Sequence, residues 1–183
     1  MLLEKRARYI LNDERWPLSN DIFMELPKTM CIKGLTKSHC MMIIKTWNNS
    51  WTTSARFHDD NPLKCILGCD ENDCITHYIQ CNPFWDRIYD GTEGRCIDLV
   101  KPPAEKLCLV NANLVDLKRL CIAFKCYHVL RKGHSQVVDR AQETGTFEPV
   151  CERFCELVRY YAVEHGLHAK RLCNLPQLDA QII

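Results

Sequence analysis

The sequence predicts a mainly α-helical chain: a small helical domain built around a Cys-Cys-His-Cys cluster, with a helical C-terminal extension. Three observations predict it. Apolar residues recur at helical spacing after Thr36, across 114–132 and after Pro149. No stretch shows the period-two alternation of a half-buried strand. Cysteine and histidine side chains fall at positions 65, 69, 77 and 81, at intervals that let them converge.

Taken in order, residues 2–11 read as a short helix. Ser19 or Asn20 caps a second, Asp21 to Leu26, which Pro27 follows. Thr36 caps a longer helix whose apolar positions are Cys40, Ile43, Ile44 and Trp47. Trp47 and Trp51 sit one helical turn apart and are expected to pack toward the cysteine-rich segment. Gly91 to Pro103 is rich in turn residues and marks a boundary. Asn113 caps a helix from Leu114 to Lys132. Leu117, Leu120, Cys121, Phe124, Tyr127 and His128 line one of its faces, and Gly133 suits a left-handed cap. His134 to Phe147 is polar and reads as a loop. Pro149 opens the last long helix, with Val150, Phe154, Leu157, Val158 and Tyr161 inward and Gly166 at its end. The expected organisation is residues 1–90 with the cysteine segment at 61–90, a helical region over 104–170, and a tail over 171–183.

The segment 61–90 carries the chemistry. Cys65 and Cys69 flank Gly68 on a turn; His77 and Cys81 lie four apart on a predicted helix, hence on one face. Two thiolates from a turn, with an imidazole and a thiolate from a helix, are a tetrahedral Zn(II) donor set. The spacing is Cys-x3-Cys-x7-His-x3-Cys. Four buried residues in a cysteine-rich protein are the plainer alternative. Cys74 shares a helical face with His77 and Cys81 and is an alternative ligand. It is better placed in the first helical turn, with Asp73 as N-cap and Pro83 limiting the helix. Four protein ligands would make the zinc structural, because a catalytic zinc keeps a position open for water.

The run Trp51-Thr-Thr-Ser-Ala-Arg-Phe-His58, the Cys65–Cys69 pair, His77-Tyr78, Cys81 and Trp85 resembles the zinc-binding region that follows the polymerase core in LINE-type, non-LTR retrotransposon reverse transcriptases. The resemblance covers about residues 31–90. Asp73 stands at that family's acidic position and Trp85 at its closing Trp. The gap between the first two cysteines is wider than the family's Cys-x-x-Cys. The resemblance implies a helical fragment that grips RNA or target DNA beside a polymerase domain. A zinc-stabilised module for a protein partner, or a relic of an element without function, are the alternatives.

Charge distribution bears on such partners. The net charge is only +1 over 183 residues. Residues 1–58 carry 9 basic and 5 acidic side chains, a net of +4; residues 59–100 carry 3 and 9, a net of −6. Any phosphate contact is therefore expected from Lys33, Lys37, Lys45 and Arg56 and not from the cysteine segment. Thirteen cysteines, no apolar leader in Met1 to Arg8 and no run of about 18 apolar residues suggest an intracellular protein, nuclear or cytoplasmic, with reduced thiols.

Two further constellations carry possible metal donors. Phe57-His58-Asp59-Asp60 spells the reverse transcriptase metal signature, but its polar flanks are not the apolar strands that a palm needs. With no phosphate-binding glycine loop and no nuclease pattern, no enzyme activity is expected. Cys151 and Cys155, with His165, His168 and Cys173, offer a second donor set, but the cysteine pair shares its face with apolar Val158. Buried structural thiols are the stronger expectation.

Overall fold

The computed structural model describes residues 2–11, 26–58, 63–92 and 101–168. Its elements are α1 (Leu2–Leu11), α2 (helical residues 26–30), α3 (Lys37–Trp47), α4 (Ser54–Phe57), α5 (Ile75–Gln80), α6 (Asn82–Gly91), α7 (Pro103–Lys106), α8 (Leu114–Gly133), α9 (Ser135–Thr144) and α10 (Glu148–Glu164). Among the described residues the only extended pairing is an isolated antiparallel bridge, Lys64 to Asn72. The mainly helical class is as expected. No helix among the described residues is long and apolar enough to cross a membrane.

The 20-residue α8 is the central element. Asn113 caps it by accepting the Asp116 backbone N–H, satisfying one of the free donors of the first turn. Leu117, Leu120, Cys121, Ile122, Ala123, Phe124, Cys126, Tyr127 and Leu130 are buried, so apolar contact surrounds the helix instead of lining one face. α3, α9 and α10 pack directly on it, and α6 packs on both α8 and α10. Arg119 is buried in this layer; its Nε donates to Thr92 Oγ1 at 3.0 Å and its guanidinium lies over the Tyr89 ring.

Trp51 is the aromatic centre. It is fully buried, with ring centroids 4.9 Å from Tyr127, 5.9 Å from Tyr78 and 6.1 Å from Phe84. Its Nε1 donates to Thr46 Oγ1, and Trp47 Nε1 donates to the Leu107 carbonyl, so neither buried indole leaves its N–H unpaired. Trp51 packs on the cysteine-rich segment as expected, against Tyr78 and Phe84, whereas Trp47 is buried with its indole bonded to Leu107, and the two do not share a helix. α3 stops at Trp47, and a turn through Asn49, at φ 52°, carries the chain to Trp51.

Other expectations are corrected. α3 is capped by Thr36, but its buried face is His39, Met42, Ile43, Thr46 and Trp47; Ile44 points outward and Cys40 is half-buried. The apolar count missed this because two polar residues, His39 and Thr46, find internal hydrogen-bond partners. Helix runs through Pro27, while residues 21–25 lie outside the described set. Gly91 is the last residue of α6, so a connection starts after it; residues 93–100 of the expected boundary lie outside the described set. Gly133 belongs to α8, which His134 caps at φ −126°. The expected loop at 134–147 contains α9, whose Val138 and Ala141 are its only buried residues. That apolar stripe is too thin to announce a helix. Gly145, at φ 72°, supplies the left-handed cap that had been expected at Gly133. α10 ends near Gly166, at φ 65°, with the Leu167 N–H returning to the Ala162 carbonyl.

Candidate metal centre

The loop before α5 is held by its backbone. Cys65 N–H donates to the Glu71 carbonyl, and Asp73 N–H donates to that of Leu63. The turn inside closes with Gly68 N–H to the Cys65 carbonyl, at a Gly68 φ of 84° that glycine adopts freely. This brings Cys69 back beside Cys65. Ile66 N–H then donates to the Tyr78 hydroxyl, tying the loop to the helix that carries His77.

α5 is capped by Cys74, not by the expected Asp73. The Cys74 thiol accepts the His77 backbone N–H at 3.4 Å and lies 3.0 Å from Thr76 Oγ1. Cys74 is thus a cap. Pro83 does not end the ligand helix either; it stands in the first turn of α6, where its missing N–H costs no bond. Cys81 is the hinge between the two short helices. Trp85, one turn into α6, donates its indole N–H to the Tyr78 carbonyl at 2.9 Å, satisfying a carbonyl near the end of α5.

These elements bring Cys65, Cys69, His77 and Cys81 together. One ligand atom from each lies within 4.8 Å of all the others, and Cys74 is outside the group. Cys69 Sγ and Cys81 Sγ are 3.6 Å apart. Two sulfurs on one tetrahedral zinc, with Zn–S near 2.3 Å, sit about 3.8 Å apart, so the spacing fits a shared metal. His77 Nε2 is buried with no hydrogen-bond partner. A buried polar atom without a partner is costly, and a metal bond would satisfy it. Three thiols and an imidazole are the donors that Zn(II) prefers.

The electrostatics suit metal binding. The hydrogen bond from the Cys81 thiol, opposed by burial and aided by His77, holds the Cys65 thiol well below the ordinary thiol range. The same contact, with burial, pushes Cys81 up, and burial raises Cys69. Arg87 acts electrostatically on Cys69 and the buried Lys106 on Cys81, so two basic side chains lie near the four donors.

Asp73 is the residue that sequence reasoning misassigned. It is 0% exposed. Its Oδ1 accepts from the Tyr78 hydroxyl at 2.7 Å and the Tyr127 hydroxyl at 3.0 Å; its Oδ2 accepts from Ser54 N–H at 2.8 Å and lies 3.7 Å from Arg131. A buried carboxylate needs such partners. Two of them come from α8, more than 50 residues away, and no local pattern reveals them. A second clamp comes from α9 and the residues after it: Gln142 Nε2 donates to the carbonyls of Lys64 and Cys65, and Phe147, the N-cap of α10, packs against Gly68.

The remaining predicted residues do not join this centre. Lys33, Lys37, Lys45 and Arg56 are exposed, with the Arg56 guanidinium over the Phe57 ring. Asp59 and Asp60 lie outside the described residues. Among the described residues, Cys151, Cys155, His165 and His168 form no metal-binding group; Cys173 is outside that set. His165 instead bonds to His39, and Cys151 and Cys155 lie near Arg87.

No protein-family model, curated protein or solved structure matches this chain.

Proposed function

We propose that the chain is a Zn(II)-stabilised helical binding module, related to the zinc-binding region of LINE-type reverse transcriptases and itself without polymerase activity. One observation carries the zinc assignment: the convergence of Cys65, Cys69, His77 and Cys81 around a buried His77 Nε2 that has no other partner. Four protein donors close the coordination sphere, so the metal's role is structural. It pins the 65–69 turn to the α5–α6 hinge, and through Asp73 and Gln142 that unit is tied to α8 and α9.

The partner is a nucleic acid, bound weakly and without sequence preference. Lys37 and Lys45 are both exposed on α3, two turns apart, with Lys33 before them and Arg56 beyond. The zinc segment is acidic and repels phosphate. Fluorescence anisotropy with single-stranded RNA at two salt concentrations tests this. Binding should weaken with salt and drop in a Lys37→Glu/Lys45→Glu variant; equal binding by that variant removes the proposal.

A polypeptide partner is the second reading, favoured by Met41 and Ile44. They are 53% and 39% exposed on the same outer face as the two lysines. Retention of a protein partner, with no RNA binding at low salt, selects it.

A further inference from the structure

Away from the zinc centre, two histidines meet in the core. His39 stands in the first turn of α3 and His165 caps the end of α10; His39 Nε2 and His165 Nδ1 are 2.6 Å apart. The tautomers follow from the backbone. Thr36 N–H donates to His39 Nδ1 at 3.0 Å, completing a capping box, so that nitrogen carries no proton. Neutral His39 therefore holds its proton on Nε2 and donates it to His165 Nδ1. His165 then carries its proton on Nε2, which is buried without a partner.

A further proton finds no place in this arrangement. On His165 Nδ1 it faces the His39 Nε2–H. On His39 Nδ1 it faces the Thr36 N–H, opens the capping box and sets a positive charge at the positive end of α3. We infer that His39 and His165 form an acid-released latch, which holds the C-terminal end of α10 on the start of α3 only while both rings are neutral.

The surroundings reinforce this. Lys118 and Lys125 of α8 act on both rings. Lys125 is paired with Glu164 of α10 at 2.7 Å and lies over the Tyr161 ring. From α8, Cys121 also donates its S–H to the His39 carbonyl. Glu164 and the C-terminal end of the α10 dipole favour a charged His165, but burial, Lys125 and His39 outweigh them and bring it down to about 4. Burial and the same lysines lower His39. The sign is clear: the folded pKa lies below the unfolded value near 6.5. The latch is complete above pH 6.5 and is lost as pH falls toward about 4.

The test is a titration of the zinc-loaded full chain, pH 7.5 to 4, by long-range imidazole ¹⁵N–¹H NMR with amide exchange at Leu167, whose N–H closes the α10 end. Both rings should stay in the Nε2–H tautomer and titrate below 6.5. Leu167 opening, corrected for intrinsic exchange, should rise about tenfold per pH unit below 6.5. In His165→Gln that pH dependence should vanish. A ring titrating at or above 6.5, the Nδ1–H tautomer at either ring, or protonation with Leu167 still protected overturns the inference. Should the variant fail to fold, the wild-type titration decides alone. Because zinc content is measured in the same sample, loss of metal is distinguished from release of the latch.

Discussion

Tyr127, from the middle of α8, donates its phenolic proton to Asp73, the residue just before the cap of α5, at 3.0 Å. Asp73 receives Tyr78 on the same oxygen. One buried carboxylate thus joins the helix that carries His77 to the central helix, while the Trp51 ring lies against both tyrosines. Tyr127→Phe removes one donor and leaves Asp73 its others, so a loss of about 1 kcal/mol is expected in urea unfolding. Asp73→Asn sets an amide against a Ser54 N–H or the two hydroxyls and weakens the Arg131 pairing; about 3 kcal/mol is expected. Equal effects of the two substitutions contradict the hub.

Cys81→Ser should abolish stoichiometric zinc binding and reduce the helical signal in circular dichroism. Cys74→Ser should keep the metal and the cap, since a hydroxyl caps a helix at least as well as a thiol. Metal analysis of both purified variants separates the roles. Zinc lost from Cys74→Ser would place that thiol in the coordination sphere.

Gly68→Ala should destabilise the chain by about 2 kcal/mol through left-handed strain and contact with the ring at 147. A Cβ at Gly68 would lie 2.7 Å from the Phe147 ring. Pairing it with Phe147→Leu should recover part of the loss by relieving the contact, leaving the backbone strain. No recovery in thermal unfolding means that the loop and the α9–α10 connection do not press on each other.

What could be read from the sequence was local. The Thr36 and Asn113 caps, Pro149 and the four convergent donors are short-range signals, and the structure places them as expected. The failures are long-range. Asp73 looked like a cap because its hydroxyl partners and Arg131 lie far along the chain. His39 is absent from the apolar positions counted on α3, and the side chain that satisfies it in the core is 126 residues away. α9 buries only Val138 and Ala141, so its helical period was hidden within a polar stretch.

Chelation of the metal should lower the unfolding temperature and change the near-ultraviolet circular dichroism, since the loop packs through Tyr78 toward Trp51. Re-addition of Zn(II) should restore both, with an unfolding temperature that rises with free Zn(II). Mg(II), which prefers oxygen donors, should restore neither. An unfolding temperature indifferent to chelator would mean that the four side chains pack as a metal-free cluster.

The central claim is a closed Cys3His zinc site, and X-ray absorption at the zinc edge of the loaded chain tests it most directly. The account predicts one zinc per chain with three sulfurs at about 2.3 Å and one nitrogen at about 2.0 Å. Four sulfurs, or a first shell of nitrogen and oxygen with fewer than three sulfurs, would contradict it.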